Sequence, residues 1–297
     1  MNDANDPPVI VFRSRRRKDC LDGILVLDAA GIAYAVERDS GEYVVVVAAK
    51  DGVRSRDELD AYIREDREWS RDSALVEERG GGWSGVAVYV AIVCVVFTLE
   101  RSGAFGVDWS AAGLSEAGLV RRGQLWRAVT ALTLHADVRH LVGNVLFGGL
   151  IGLFAGRSFG SGIAWLSILA GGTAGNLLNA WMKPDDHASV GASTAVFAAL
   201  GLIASYAWRS QREPMVSMAW RWRPLIGGLA LLGFLGTAGE NTDVGAHLTG
   251  FVSGVMLGAL HAAVGGPVRF GRRRQMLAGA TALIALTLGW VAAVGAP

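Results

Sequence analysis

Seven long apolar stretches, separated by short polar breaks, constrain this chain more than any other feature of its sequence. They are Trp83–Leu99, His140–Ala155, Gly162–Met182, Ser193–Trp208, Leu225–Ala238, Gly245–Val264 and Met276–Val294. Each approaches the roughly 20 mostly apolar residues that a helix needs to cross the hydrocarbon core of a bilayer. The sequence therefore predicts an all-α polytopic membrane helical bundle with about seven transmembrane helices.

The composition excludes several other classes of protein. Of the 297 residues, 52% are hydrophobic and only 19% are charged, whereas soluble domains carry roughly a quarter charged residues. These fractions exclude a disordered chain and a single soluble domain. The net charge of +1 gives no broad basic field, so we expect no nucleic-acid partner. With only two cysteines, Cys20 and Cys94, we predict no disulfide framework, no metal cluster and no cofactor.

The first 79 residues differ from the rest, because they are rich in Arg, Asp and Glu. A helix-like stretch there is followed by strand-like runs at Ile32–Val36 and Tyr43–Ala48. Ser55 then opens a second predicted helix, with Glu58 completing a capping box. We interpret the basic run near residue 15 as a solvated helix face, with binding to anionic lipid as the alternative.

These patterns divide the chain into three parts. Residues 1–79 are predicted to form a small α+β soluble domain, and residues 80–264 a six-helix core. Residues 265–297 then supply a basic loop and an extra seventh transmembrane helix.

The distribution of arginine predicts the orientation of these helices, because cytoplasmic loops carry an excess of Lys and Arg. The breaks after the fourth and sixth spans contain Arg209, Arg212, Arg221, Arg223, Arg269, Arg272, Arg273 and Arg274. We therefore expect a multi-pass integral membrane protein with a cytoplasmic N-terminus and an external C-terminus. The arginine-rich connection between the first two spans disagrees with this rule, and we interpret it as an amphipathic element lying in the membrane interface.

Four polar residues lie where the predicted bundle should exclude them. His140 and Asn144 open the second span on one helix face, Ser193 opens the fourth, and His247 lies early in the sixth. These three spans run in the same direction, so the four residues are expected at similar depth near the external surface. Ionisable residues within spans are costly and indicate function.

This set has the parts needed for nucleophilic acyl transfer. A serine hydroxyl is too weakly acidic to attack unaided, and His247 could accept its proton. His140, Asn144 and the backbone N–H of Ser193 could donate to the developing oxyanion. Since no Asp or Glu falls inside spans two to six, the sequence indicates a dyad rather than a triad. Taken singly, the serine could be a helix cap and each histidine a structural group, but their joint placement favours catalysis.

Four short motifs carry a resemblance to a known family. They are Trp126-Arg127 before the second span, His135, His140 and Asn144 spaced as HxxxxHxxxN, Gly191-Ala192-Ser193-Thr194 as GxSx, and Ala246-His247 with Gly250 and Gly254 as AHxxGxxxG. With these motifs the chain resembles the rhomboid intramembrane serine proteases, in the bacterial form that has six core helices and one more. The resemblance covers roughly residues 83–264.

The resemblance implies a role for each motif. Ser193 would be the nucleophile and His247 the general base, with His140 and Asn144 stabilising the oxyanion. Phe197 would pack on the catalytic imidazole, and the supporting positions would be Gly191, Gly250, Trp126 and Arg127. Single-pass transmembrane proteins would be cleaved within the lipid bilayer near its outer face. The family commonly has glycine after the serine, so we expect Thr194 to crowd the approach of the substrate.

Two alternatives remain at this point. A rhomboid-like pseudoprotease would bind membrane clients without cutting them, but such proteins typically lose the serine or histidine that this chain keeps. A small polytopic transporter could use the polar residues as a relay, but it would be expected to carry acids or broken helices near the membrane midplane. The sequence leaves the oligomeric state open.

Overall fold

The computed structural model describes residues 7–78, 82–210, 223, 226–230, 233, 243–264 and 270–296. The chain divides into two compact units, which comprise Met1–Leu75 and Val76–Pro297.

The first unit contains a three-stranded antiparallel sheet and two helices. Its elements are β1 (Pro8–Ser14), α1 (Arg17–Ala29), β2 (Tyr34–Asp39), β3 (Glu42–Ala48), a 3₁₀ turn (Ala49–Asp51) and α2 (Gly52–Glu78). The spatial order of the strands is β1-β3-β2, so the valine-rich β3 lies in the centre. Leu27 and Leu59 pack against β3 from the two helices and close a small apolar core.

Two features of this unit differ from the sequence prediction. Strand β1 was not predicted, because its arginines masked the alternation of apolar residues; Arg13 forms an ion pair with Asp39 across the sheet at 3.1 Å. The capping box at Ser55 is wrong. Helix α2 begins at Gly52, and Ser55 is fully buried within it, donating a 2.7 Å hydrogen bond to the carbonyl of Asp51.

The second unit is almost entirely helical. In chain order its elements are α3 (Trp83–Ser102), a 3₁₀ turn (Ala104–Gly106), α4 (Trp109–Gly113), β4 (Ser115–Glu116), α5 (Ala117–Arg121), α6 (Arg127–Thr130), a 3₁₀ turn (Ala131–Thr133), α7 (Val138–Phe159), α8 (Ser161–Met182), β5 (Ala188–Ser189), α9 (Ser193–Ser210), α10 (Val244–Ala263) and α11 (Arg272–Gly295). Strands β4 and β5 pair as a two-stranded antiparallel ladder.

Four of the described helices, α3, α7, α10 and α11, are long and apolar enough to cross a membrane. Helices α8 and α9 coincide with the third and fourth predicted spans. The fifth predicted span, Leu225–Ala238, lies largely outside the described residues. Within it the structure describes 226–230 and 233, and these residues are helical. The structure is therefore consistent with a membrane helical bundle, and the number of seven spans stays a prediction.

The arginines between α3 and α7 have structural partners, which explains part of their conflict with the charge rule. Arg121 donates hydrogen bonds to the carbonyl oxygens of Ala180 and Lys183 and pairs with Asp185. Arg127 is only 7% exposed. These two side chains hold the connection in place, so they do not report on the side of the membrane.

The C-terminal helix α11 is attached to the bundle near both of its ends. The amide of Gln275 donates to the carbonyl of Phe159 at 2.8 Å and accepts from the backbone N–H of Ile163 at 3.0 Å, bridging the break between α7 and α8. Near the other end, the indole N–H of Trp290 donates to the hydroxyl of Thr133 at 3.1 Å. Helix α11 therefore braces the connection that leads into α7.

Helices α9 and α10 meet through the glycine repeat of α10. A β-carbon added to any of these glycines would lie only 1.9–2.3 Å from a carbonyl oxygen of α9: Gly250 faces Thr194, Gly254 faces Ala198 and Gly258 faces Leu202. In lipid, small residues at this spacing let helix backbones approach closely and gain packing and weak hydrogen bonds. The glycine repeat therefore fixes the register between the helices that begin with Ser193 and carry His247.

Gly254→Ala tests this contact. The added β-carbon would lie 1.9 Å from the carbonyl oxygen of Ala198, so the helices must separate. We expect the free energy of unfolding to fall by about 1–3 kcal/mol, measured as a lower thermal midpoint in detergent. Gly149→Ala on α7 is the control, since its β-carbon would meet only Val86 Cγ1 at 3.6 Å. Equal midpoints for the two variants would contradict the close contact.

Candidate active site

Ser193 is the first residue of α9 and is half-buried. The turn before it depends on Gly191, whose φ of +122° is disfavoured for residues with a side chain. Space also requires glycine there, because a β-carbon would lie 2.6 Å from both Cε1 and Nε2 of the His140 ring and 3.6 Å from Nδ2 of Asn144. The backbone that leads into Ser193 thus lies directly against the imidazole of His140 and close to the amide of Asn144.

His140 and Asn144 are held by the start of α7. Asp137 caps this helix, and its carboxylate accepts the backbone N–H of His140 at 2.8 Å. The side-chain amide of Asn144 is 6% exposed and donates to the carbonyl of His140 at 3.2 Å, which engages one of its two N–H groups. The hydroxyl of Tyr89 fixes the same turn by donating to the backbone carbonyl of Asn144 at 2.8 Å.

His135 lies in the connection before α7 and packs against His140. It is 1% exposed, and its ring meets that of His140 edge-on with centroids 5.3 Å apart. Burial lowers the pKa of His135 to about 4, and the neighbouring His140 acts in the same direction. His135 is therefore neutral at physiological pH and supports the His140 ring by packing.

His247 lies in the first turns of α10 and is 6% exposed. Its ring packs on that of Phe197 with centroids 4.5 Å apart and planes 40° apart. Phe197 follows Ser193 by four residues, so both side chains lie on one face of α9. The face of α9 that carries Ser193 is therefore the face that contacts His247.

The side chain of Thr194 packs between helices. Its side chain is 3% exposed, and its methyl group fills a slot between two glycines: β-carbons on Gly175 and Gly250 would lie 2.8 Å and 3.0 Å from it. The methyl group is buried in the interface of α8, α9 and α10. The side chain of Thr194 thus occupies space that the two glycines leave, and its effect on the substrate stays a prediction.

Trp126 and Arg127 belong to the frame of the site. The guanidinium of Arg127 donates from Nε to the side chain of Gln124 at 2.6 Å, and from Nη1 to the carbonyls of Ala111 and Leu114 at 2.9 Å each. These bonds satisfy a cation that would otherwise be costly to bury. Arg127 therefore supports the connection before α7.

One group of residues at this end of the bundle was not singled out by sequence reasoning. Asp243 precedes α10 and accepts hydrogen bonds from α8, from the β5 segment and from α10 itself. An aspartate three residues before a helical N–H is a typical N-cap, which was the available signal. Its bonds to distant segments had no local signal. Across the described residues, no three His, Cys, Asp or Glu side chains could together hold a metal ion.

The arrangement combines a hydroxyl at a helix N-terminus, a buried imidazole on the facing helix, and polar donors beside the turn before the hydroxyl. A hydroxyl with a nearby base can act as a nucleophile. Backbone and side-chain N–H groups around it can stabilise a developing oxyanion. The chemistry that this geometry allows is acyl transfer by a serine.

Comparisons with known proteins support this interpretation. Residues 122–263 match the family described as "Rhomboid domain". The chain is 32% identical to "Rhomboid protease GluP" of Bacillus subtilis (strain 168) over 61% of its own length and 34% of that protein's. It is 36% identical to "Rhomboid-like protease 3" of Toxoplasma gondii over 45% of its length and 51% of that protein's. With "RHOMBOID-like protein 7" of Arabidopsis thaliana the identity is 31%, over 55% and 48% respectively.

The matched region spans between a third and about half of the length of these relatives. The similarity includes the segments that carry His140, Asn144, Ser193 and His247 within one matched domain. Residues 122–263 of the chain therefore match the rhomboid family.

Proposed function

We propose that this protein is an intramembrane serine endopeptidase that cleaves transmembrane substrates with a Ser193–His247 dyad. The observation that carries the proposal is the packing of Phe197 on His247, one helical turn beyond Ser193. The glycine contact between Gly250 and Thr194 holds the two helices in that register. Of the matched relatives, one is named as a rhomboid protease and another as a rhomboid-like protease.

The proposed reaction begins with transfer of the Ser193 hydroxyl proton to the imidazole of His247. The alkoxide attacks the carbonyl carbon of the scissile peptide bond and forms a tetrahedral oxyanion. His247 then gives the proton to the leaving amine, and an acyl-enzyme forms. A water molecule attacks that ester by the same route in reverse, with His247 again as the base, and releases the second product.

The oxyanion is stabilised by donors around the Gly191 turn. The imidazole of His140 and the amide of Asn144 lie beside this turn, and the backbone N–H of Ser193 points from a helix N-terminus. The conformation at Gly191 leaves the site free of a side chain that would otherwise clash with His140. These donors are fixed before substrate binds, which is what makes such stabilisation effective.

The membrane setting of this reaction rests on the charge pattern of the sequence. Arginines after the fourth and sixth predicted spans favour a cytoplasmic N-terminus and an external C-terminus. The resemblance to the bacterial form of the family is the basis for proposing a bacterial inner membrane. That orientation brings Ser193 and His247 near the outer face. Single-pass transmembrane proteins are the proposed substrates, since a lateral path through lipid gives them access to a site at that depth.

Ser193→Ala and His247→Ala test the dyad. Each should lower cleavage of a transmembrane reporter in liposomes by at least about 10³-fold, and the double variant should be no worse, because residues that act as a unit are not additive. Fluorophosphonate labelling should be lost in Ser193→Ala. Ser205→Ala, a buried serine of the same helix, is the matched control and should keep full activity. A folded wild type that neither cleaves nor labels would identify a pseudoprotease.

Asn144→Ala separates oxyanion stabilisation from packing. Loss of one donor should lower turnover by about 10²–10³-fold with KM little changed, because the other donors still act. Asn176→Ala is the matched control: Asn176 is also buried, and its amide donates to the carbonyl of Ala128 at 2.9 Å. That variant should lower the thermal midpoint and leave turnover per folded molecule unchanged. The same pattern in Asn144→Ala would remove Asn144 from the site.

Thr194→Gly tests where this side chain acts. Because its methyl group fills the slot between Gly175 and Gly250, removal should leave a cavity and lower the free energy of unfolding by about 1–2 kcal/mol. Turnover per folded molecule should stay within about twofold, since the slot lies in the helix interface. Thr194→Val keeps the volume and should keep the thermal midpoint. A rise in turnover with an unchanged midpoint would instead place the side chain in the substrate path.

A further inference from the structure

Asp243 is the N-cap of α10, four residues before His247. Its Oδ1 accepts the backbone N–H of Ala246 at 3.1 Å, which satisfies one of the N–H groups that a helix start leaves unpaired. The ammonium group of Lys183 lies 3.7 Å from the same oxygen. The side chain is only 15% exposed, so this carboxylate depends on its protein partners.

The second oxygen of Asp243 joins two other elements to α10. It accepts from the side-chain amide of Asn179 on α8 at 2.7 Å and from Nε2 of His187 at 2.7 Å. It also accepts the hydroxyl of Ser189 in a short hydrogen bond. His187 and Ser189 belong to the segment that continues through Gly191 to Ser193. One carboxylate therefore connects the turn before the nucleophile to the first turn of the helix that carries the base.

The segment that contains His187 and Ser189 is also bonded to a second part of the chain, the connection before α7. Ser189 pairs with Ser115 in the β4–β5 ladder, and the backbone N–H of Ala117 donates to the carbonyl of His187 at 2.9 Å. These bonds hold the segment to the connection before α7, where Arg127 is buried. The contact with Asp243 is what links this fixed segment to α10.

The electrostatics of the group support a strong interaction. Burial alone would raise the pKa of Asp243, but hydrogen bonds from Ser189, His187, Ala246 and Asn179 outweigh it and hold the pKa well below its usual value. Asp243 is therefore ionised at neutral pH, and hydrogen bonds to an ionised acceptor are stronger than neutral ones. Asn179 turns its amide N–H toward Asp243 although its own Oδ1 is then buried without a partner among the described residues.

The backbone at the start of α10 leaves room for the contact between Asn179 and Asp243. Gly245 lies between Asp243 and His247, and a β-carbon there would lie 2.7 Å from Oδ1 of Asn179 and 2.9 Å from Cε of Lys183. Glycine thus lets α8 come close enough for Asn179 to reach the carboxylate. Helix α8, the β5 segment and the start of α10 therefore all come close together at Asp243.

We propose that Asp243 is a positioning residue of the Ser193–His247 pair, which holds the β5 segment and the start of α10 at a fixed separation. The inference rests on the proposed function. Its physical basis is that catalysis by two side chains on different elements requires their alignment, and a misplacement of about 1 Å can cost about 10²-fold in rate. Asp243 itself touches neither the substrate nor the reacting atoms.

Asp243→Asn is the central variant. The amide oxygen can still cap Ala246, but the amide N–H₂ faces the donors of Asn179, His187 and Ser189 and cannot accept their hydrogen bonds. We expect kcat to fall by about 10- to 100-fold with KM within about twofold, because alignment affects the chemical step more than binding. Fluorophosphonate labelling of Ser193 should slow by a similar factor. Asp243→Glu, which keeps the charge, should recover part of the loss.

Asp108→Asn is the matched control, because Asp108 also caps a helix, accepting the N–H of Ala111 at 2.9 Å. It should leave kcat unchanged. Ser189→Ala removes a single bond to Asp243 and covers the case in which Asp243→Asn fails to fold; it should lower kcat by about 3- to 10-fold. Combined with a folded Asp243→Asn, its effect should be less than additive, since both remove the same interaction.

The outcomes distinguish this inference from the proposed function. An active wild type beside Asp243→Asn and Ser189→Ala variants with normal kcat and labelling per folded molecule would overturn the positioning role alone, even if their thermal midpoints fell. A folded wild type that neither cleaves the reporter nor labels at Ser193 would overturn the proposed function, and the positioning role with it.

Discussion

The close contact between α9 and α10 is the interaction on which the rest of the site depends. Gly250 lies against the carbonyl of Thr194, and the next two glycines of the repeat lie against carbonyls one and two turns further along α9. No side chain separates the two backbones at these points. The register between the helix that begins with Ser193 and the helix that carries His247 is therefore set by main-chain contact, which varies less than contact between flexible side chains.

This kind of contact suits a protein in lipid. Between helices in a bilayer there is little hydrophobic driving force, so close packing and hydrogen bonds determine which helices associate. The small residues of α8 extend the same principle, because Gly175 also accommodates the methyl group of Thr194. The tight three-helix interface explains how a chain rich in glycine can still hold two side chains in a defined relation.

At the end of the bundle that contains Ser193, polar interactions hold the connecting segments in place. Arg127 satisfies carbonyls of the connection before α7, Arg121 binds the end of α8, and Asp243 gathers donors from three elements. Arg127 and Asp243 are largely removed from solvent, where a charge is costly unless it is paired, so each of them favours a single arrangement of its loop. The result is a layer of polar contacts at one end of an apolar bundle, and Ser193 and His247 lie at the boundary between the two.

The sequence alone determined what depends on local pattern. Apolar length predicted the helices that begin near Trp83, Val138, Ser193 and Val244. The placement of Ser193 and His247 at the starts of predicted spans indicated the candidate site, and the family resemblance added Phe197. Helical periodicity fixes which side chains share a face, so residues four apart could be grouped without a structure. Strand β1 was not predicted, because charged residues hid its alternation of apolar side chains. The start of α2 was misplaced, because Ser55 and Glu58 resemble a capping box.

Only the tertiary structure decided what depends on contacts between distant segments. Ser189 and Asp243 are 54 residues apart in the chain, and Arg121 reaches Ala180 across 59. The motif alone did not show where the side chain of Thr194 lies, and the structure packs its methyl group against glycines of two other helices. No local rule encodes these pairings, because they arise from how helices meet in three dimensions, where backbone proximity and buried charge select one arrangement among many that the pattern allows.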